Sequence, residues 1–162
     1  MAYAIRPFTA EDAPALADLT LAAIRAVGAV SYSPDQVAAW AHRHPGAERF
    51  LERAAAGHHI VVAADADDIA VAYALLEEDG HLDMLYCHPR HTRRGLADEL
   101  LAVAEQHARA NDMKRLYTEA SELARPAFER AGYAVSGRRD FEIPYKGEAV
   151  AIHNYAMEKP LN

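Results

Sequence analysis

Between His59 and His88, three apolar stretches of strand length follow one another with only tight turns between them. Ile60-Val61-Val62-Ala63 and Ile69-Ala70-Val71-Ala72-Tyr73-Ala74-Leu75-Leu76 flank an Asp-rich turn. Glu78-Asp79-Gly80 is a second turn, and Pro89 closes the stretch His81-Leu82-Asp83-Met84-Leu85-Tyr86-Cys87-His88. Strands joined so tightly are neighbours in one sheet, and the middle of the chain is thereby committed to a largely antiparallel arrangement.

Helical signals surround this block. Ala4 to Phe8 is short and extended, and Pro7 bars it from a helix interior. Thr9 and Asp12 form a carboxylate version of the capping box, and Leu16, Leu19, Ala23 and Val27 recur at helical spacing in a stretch that runs to about Ala29. Ser33-Pro34-Asp35-Gln36 starts a second helix, predicted to end near His42 and before Pro45. A third runs from about Ala47 to Gly57, a residue suited to a left-handed C-cap. Beyond the strands, Leu96, Leu100, Val103, Ala104 and His107 share one helical face that reaches about Ala110. Leu116 to Glu119 is a further strand, Leu123 to Ala131 a short helix closed by Gly132, and Tyr133 to Glu158 two strands joined at Lys146-Gly147. With no repeat or linker, this order predicts one α/β (α+β) domain over residues 1–162, with a mixed, mostly antiparallel sheet of about seven strands flanked by helices.

Half of the 162 residues are apolar (51%), so a sizeable core is expected. Asp and Glu outnumber Lys and Arg by 24 to 17, a net charge of -7 that argues against non-specific attraction to nucleic acid or an anionic membrane. Cys87 is the only cysteine, which excludes an intramolecular disulfide and Cys-based zinc sites and fits a reducing compartment. The N-terminus lacks a basic segment followed by an apolar one, and no apolar run reads as long enough to cross a bilayer. A soluble, cytoplasmic protein is expected.

One local departure from the acidic balance carries the functional argument. Arg90, Arg93 and Arg94 fall within five residues, in a loop between the third strand and the helix that begins near Leu96. The first turn of a helix has backbone N–H groups without intrahelical partners, and its dipole favours negative charge. Gly95 has no side chain and Ala97 only a methyl, so a phosphate can approach the backbone closely. A strand-to-helix junction with one Gly also occurs for steric reasons alone, so the loop by itself leaves an anion site and a structural turn both open.

The segment Thr92-Arg93-Arg94-Gly95-Leu96-Ala97, preceded by Leu85-Tyr86-Cys87-His88-Pro89 and followed by Leu100-Leu101, resembles the acetyl-CoA loop of the GNAT acyltransferase superfamily. Ser121 and the run Ala124-Arg125-Pro126-Ala127-Phe128-Glu129-Arg130-Ala131-Gly132-Tyr133 agree with the same family. The resemblance implies a GNAT fold and an acetyl-CoA-dependent N-acetyltransferase with a primary-amine acceptor, either a small molecule or a peptide. By resemblance, the backbone of Leu85, Tyr86 and Cys87 pairs with the pantetheine arm. Arg93, Arg94, Gly95, Leu96, Ala97 and Asp98 hold the pyrophosphate, and Ser121 and Phe128 line the other side. Two positions depart from the pattern. Thr92 replaces the usual Gln or Arg, and Phe128 stands where many members have the Tyr proposed to protonate the departing thiolate. An unperturbed thiol has a pKa of about 8.5, so its thiolate leaves tolerably without that acid.

Direct transfer to an amine needs the amine neutral and held against a polarised carbonyl. On the third strand of the block, His81 and Asp83 share a face with Leu85 and Cys87, at roughly 6 to 7 Å from one another, a spacing suited to holding a water between them. They are the candidate bases, His81 because an unperturbed imidazole has a pKa near 6.5 and Asp83 because it lies nearer the expected acyl group. A plain polar strand end is the structural alternative for both. Tyr32, Gln36, Trp40, Glu119, Tyr145 and Tyr155 are candidates to line the acceptor site. Cys87 is expected to be a buried strand residue rather than a nucleophile. His42, His44, His58, His59, His88 and His91 are read as surface or loop residues, and no metal is expected. The acidic surplus is compatible with a cationic acceptor, and the two C-terminal strands offer an edge for a homodimer. Two rival readings are a non-catalytic acyl-CoA-binding module and a domain that binds another nucleotide at the same helix N-terminus.

Overall fold

The computed structural model describes residues 2–44 and 46–162, so the expected helix stop at Pro45 lies outside the described residues, as does the Val27 side chain. Seven strands and five α-helices follow the expected order. They are β1 (Ala4–Pro7), α1 (Ala13–Val27), α2 (Pro34–His42), α3 (Glu48–Ala55), β2 (His59–Ala64), β3 (Ala70–Leu76), β4 (Leu82–Cys87), α4 (Leu96–Ala110), β5 (Arg115–Ala120), α5 (Arg125–Arg130), β6 (Ala134–Tyr145) and β7 (Glu148–Pro160). The strands form two sheets, in the orders β1-β2-β3-β4 and β5-β7-β6, and every ladder is antiparallel.

β3 reads as an unbroken apolar run because helices cover both faces of the first sheet. Ile60, Val62, Tyr73 and Leu75 pack with Leu16 and Leu19 of α1. The alternate residues Val61, Ala63, Ala72 and Ala74 pack with Leu96 and Leu100 of α4. A strand buried on both sides gains nothing from polar alternation. Tyr73, fully buried, keeps its hydroxyl satisfied through Thr20 Oγ1 at 2.5 Å.

The helical run Ala10–Val30 is long and apolar enough, by length and composition, to cross a bilayer, contrary to the sequence expectation. In the fold it serves as a core helix, with Leu16, Leu19, Ala23 and Ile24 buried and Pro14, Asp18 and Arg25 exposed. The Asp12 carboxylate accepts from Thr9 N at 2.8 Å, as the capping signal implied, and a bidentate Arg6 at 2.8 and 2.9 Å completes its pairing. The Ser33–Gln36 capping box forms at the start of α2. At the end of α1, a Cβ on Gly28 would stand 3.3 Å from the Trp40 ring, so this glycine lets α2 lie close and fixes where Trp40 sits.

Candidate active site

The two sheets touch along β4 and β5 at one end only. Tyr117 N donates to Gly80 O at 3.0 Å, Thr118 Oγ1 donates to Leu82 O at 2.7 Å, and a single parallel bridge joins His81 to Tyr117. Gly80 makes this approach possible. Its φ is +98°, and a Cβ there would lie 2.2 Å from the Arg115 carbonyl oxygen. Beyond the junction the strands part. Among the described residues, the edge of β4 that faces β5 from Met84 to Cys87 has no strand partner. Cavities of about 380 and 360 Å³ open on the two sides of this split and share Trp40, Leu85, Tyr86, Ser121 and Ala124 as walls.

The larger cavity receives the basic loop. Arg93 (φ 61°) and Gly95 (φ 77°) both adopt left-handed backbone, which turns the chain sharply into α4. A Cβ on Gly95 would meet nothing within 4 Å, so the space in front of its backbone is open to a ligand. Arg93, Gly95, Leu96, Ala97 and Asp98 line this cavity together with Leu85, Tyr86, Cys87 and Ser121. The Arg94 guanidinium instead donates to the Tyr3 hydroxyl at 3.1 Å, while Tyr3 bonds His91 Nδ1 at 2.8 Å, so β1 braces the loop. Asp98 pairs with Arg130 of α5 at 3.1 Å, and Arg130 lines the same cavity. Burial pushes the Cys87 thiol up to about 11 despite the counteracting charge of Arg94, so it is a protonated strand residue at neutral pH.

The smaller cavity holds the carboxylates. Leu75 pairs with Met84 but Leu76 with Leu82, so Asp83 is an extra residue in β4, a bulge that re-aims its side chain. Asp83 Oδ2 accepts from Arg53 Nη1 at 2.8 Å, and Glu119 Oε1 from His81 Nε2 at 2.9 Å. His81 Nδ1 donates to Glu77 at 2.8 Å, and its ring stacks on Tyr117 at 4.7 Å. Burial works against a charge on His81, but the hydrogen bonds to Glu119 and Glu77 outweigh it and raise the pKa to about 9. The imidazole is therefore a cation at neutral pH, with no lone pair to offer, and it lies outside the lining of both cavities. Its Nε2 is 4.0 Å from Asp83 Oδ1, closer than the sequence spacing suggested and too close for a water between them. Glu77, His81 and Asp83 each bring a potential metal-ligand atom within 4.8 Å of the others. Hydrogen bonds among these residues, and to Arg53 and Glu119, already engage the group.

Of the expected acceptor residues, Tyr32, Trp40 and Glu119 line the smaller cavity, and Tyr32 meets Trp40 edge-on at 5.6 Å. Gln36 does not line it. Its side chain closes the α2 cap and donates to Ala151 O at 2.9 Å. Tyr145 meets His42 edge-on at 5.3 Å in a neighbouring depression. Tyr155 donates to Glu122 at 3.0 Å under the Arg125 guanidinium, behind the wall rather than in it. Phe128, expected on the cofactor side, lines the smaller cavity and not the larger one, and only 2% of it is exposed. Several wall residues escaped the sequence reading, namely Arg43, His44, Arg49, Arg139 and His153. His44, expected at the surface, is half-buried beside Tyr86. Burial and then the charge of Arg43 drive its pKa down to about 4, so it is neutral. Only the Arg43-His44 neighbourhood, next to Trp40 in sequence, carried any signal for these residues, because Arg49 lies on the next helix and Arg139 and His153 on distant strands.

The GNAT acetyltransferase domain family matches residues 29–143 of this chain. The chain belongs to the GNAT acetyltransferase family. It is 29% identical to the uncharacterized N-acetyltransferase YafP of Escherichia coli over 129 residues, which cover 80% of this chain and 79% of that protein. The crystal structure of a GCN5-related N-acetyltransferase from Rhodopseudomonas palustris superposes with a TM-score of 0.85 at 32% identity, covering 99% of this chain and 97% of the other. PaiA N-acetyltransferase from Thermoplasma acidophilum, solved with coenzyme A, shares the fold with a TM-score of 0.79 at 17% identity, over 99% and 100% of the two chains. This GNAT chain is accordingly an acyltransferase, and the split between β4 and β5 is its candidate active site.

Proposed function

We propose that this acyltransferase works as a single domain over residues 1–162 and moves acetyl from acetyl-CoA directly to a primary amine. The unpaired β4 edge carries the reading. It runs from the open, arginine-flanked backbone at Gly95 to the carboxylates of Asp83 and Glu119. Similar folds solved with coenzyme A or acetyl-CoA support the choice of donor. Backbone N–H groups from Gly95 to Asp98, with the Arg93 side chain, hold the pyrophosphate. Leu85, Tyr86 and Cys87 present backbone groups to the pantetheine amides, and Ser121, which lines both cavities, closes the far wall, with Phe128 on the side of the smaller one. Bound there, acetyl-CoA would supply the electrophilic thioester carbon, with coenzyme A as the thiolate leaving group.

A backbone N–H of β4 donates to the thioester oxygen as negative charge develops on it. The amine enters from the smaller cavity, and Asp83 accepts its proton through water. His81, fixed as a cation between Glu77 and Glu119, is a positioning residue that holds Glu119 beside Asp83. Calorimetry with acetyl-CoA tests the first half of the proposal, since Gly95→Glu puts a carboxylate into the phosphate position and removes binding. Unchanged affinity in that variant defeats the loop assignment. Release of CoA thiol in the presence of amines tests the second half. Asp83→Asn is expected to lower kcat by about 10²- to 10⁴-fold, the usual range for an acid or base, and a fully active variant would remove Asp83 from the mechanism.

A further inference from the structure

Half of the fourteen arginines of this chain are matched by a carboxylate among the described residues. Arg6, Arg53, Arg109, Arg115, Arg125, Arg130 and Arg138 each have a carboxylate within 4.0 Å, as expected in a protein of charge -7. Apart from Arg25, the arginines without such a partner among the described residues fall into two groups. One is the loop of Arg90, Arg93 and Arg94. The other is Arg43, Arg49 and Arg139, which come from the end of α2, the first turn of α3 and the middle of β6, yet all line the smaller cavity. Arg43 and Arg139 stand over the same Phe141 ring, at 5.9 and 5.3 Å from its centroid, and Arg139 is held by Asn154 Oδ1 at 3.0 Å. The two carboxylates of this cavity bind other cations, Asp83 to Arg53 and Glu119 to His81, and form no ion pair with these three guanidiniums. The charges of Arg43 and Arg49 both oppose protonation of His44, whereas Asp83 favours it. The acidic surplus of the sequence therefore lies elsewhere, and this chamber carries unmatched positive charge.

We propose that the acceptor is an amine bearing its own carboxylate, an amino acid rather than a simple or polycationic amine, with Arg43, Arg49 and Arg139 receiving the carboxylate. This rests on the amine-acceptor reading above and narrows it. An acceptor of this kind spans the cavity with opposite charges matched at its two ends, the ammonium toward Asp83 and Glu119 and the carboxylate toward the guanidiniums, which suit that group through bidentate hydrogen bonding. Tyr32, Trp40, Tyr86 and Phe141 give the chamber aromatic walls that suit a large apolar side chain.

The test compares amines that differ only in the carboxylate, phenylalanine with phenethylamine, tyrosine with tyramine and lysine with cadaverine, by thiol release from acetyl-CoA. Trp40, the only tryptophan, lies in the cavity wall, so its fluorescence reports binding of the same compounds independently of turnover. At least one carboxylate-bearing member is expected to exceed its partner in kcat/KM by about 10- to 100-fold, the range of one or two charge-assisted hydrogen bonds. In Arg43→Gln and Arg139→Gln that ratio should collapse toward one, chiefly through KM. A preference for the decarboxylated members, or a ratio untouched in both variants, overturns the inference while leaving amine acetylation intact. Turnover and fluorescence change with no amine at all, in protein that still binds acetyl-CoA, overturns the amine-acceptor reading itself.

Discussion

His81 provides a direct measure of how charge is organised beneath the active site. Its pKa rises from 6.5 to about 9 because, although burial disfavours the cation, Glu119 and Glu77 hold it from both ring nitrogens. At 1.36 kcal/mol per pH unit, this corresponds to on the order of 3 kcal/mol, reduced toward about 2 by water at the partly exposed carboxylates. The folded-state value lies above the unfolded one, so the stabilisation is complete below about pH 6.5 and is lost as pH rises toward 9. Urea unfolding followed by circular dichroism at pH 6.5, 7.5 and 8.5 should show a falling unfolding free energy. His81→Gln removes the titrating group and leaves Glu77 and Glu119 without a cation between them. The variant should be less stable at pH 6.5 by about 2 kcal/mol, show little dependence over this window and converge with the parent near pH 9. The window avoids His44, whose depressed pKa costs stability only as pH falls from 6.5 toward 4, and Cys87, whose raised pKa matters only above about 9. Parallel curves for the two proteins would refute the clamp and restore His81 as a candidate base.

Three further substitutions probe the split and its walls. Gly80→Ala drives a Cβ against the Arg115 carbonyl oxygen and should cost about 3 kcal/mol or more while weakening acetyl-CoA binding; a melting temperature within about 2 °C of the parent would contradict this. Cys87→Ala should keep thiol release within about threefold, since a thiol with a pKa raised to about 11 is no nucleophile at neutral pH. Loss of activity with cofactor affinity intact would reopen a covalent role. Phe128→Tyr places a phenol on the cavity wall and should add a falling limb to the pH–rate profile near the tyrosine range of about 10, which the parent lacks.

The element order and the cofactor side were legible in the sequence because their signals are local. Caps, turns and apolar periodicity lie within a few residues of one another, and the loop from Thr92 to Asp98 is contiguous. Two properties were hidden. The seven strands divide into two sheets because Gly80 lets β4 and β5 touch at one end only, a close approach between residues far apart in sequence. The acceptor wall draws Arg43, Arg49, Arg139 and His153 from separate elements, and no window contains more than two of them. The pairing of His81 was hidden for the same reason, since Glu119 arrives from another sheet. Gln36 and Tyr145 lay on the right elements but faced a cap and a neighbouring depression, and strand or helix periodicity alone does not fix that choice.

The charge states around the cavity bear on how catalysis itself should be read. His44 is held neutral down to about pH 4 and His81 charged up to about pH 9, by opposite means: burial and the charge of Arg43, against Asp83, in one case, two carboxylate partners in the other. Neither changes charge in the range where most assays are run, so a break in kcat/KM between about pH 5 and 8.5 is not theirs. His153, tied to Glu122 at 2.5 Å, and His91, in the wall of the larger cavity, are the remaining histidines of the two walls, and a break that persists in both His153→Gln and His91→Gln belongs to the amine or to the carboxylates that receive its proton. Phe128 offers no proton to the leaving thiolate, and the only thiol of the chain titrates near 11. The expected profile is a single rising limb that follows deprotonation of the acceptor. A bell-shaped profile in the unsubstituted protein would require an acid that Phe128 cannot supply, and would turn attention to the Tyr32 hydroxyl in the wall of the smaller cavity.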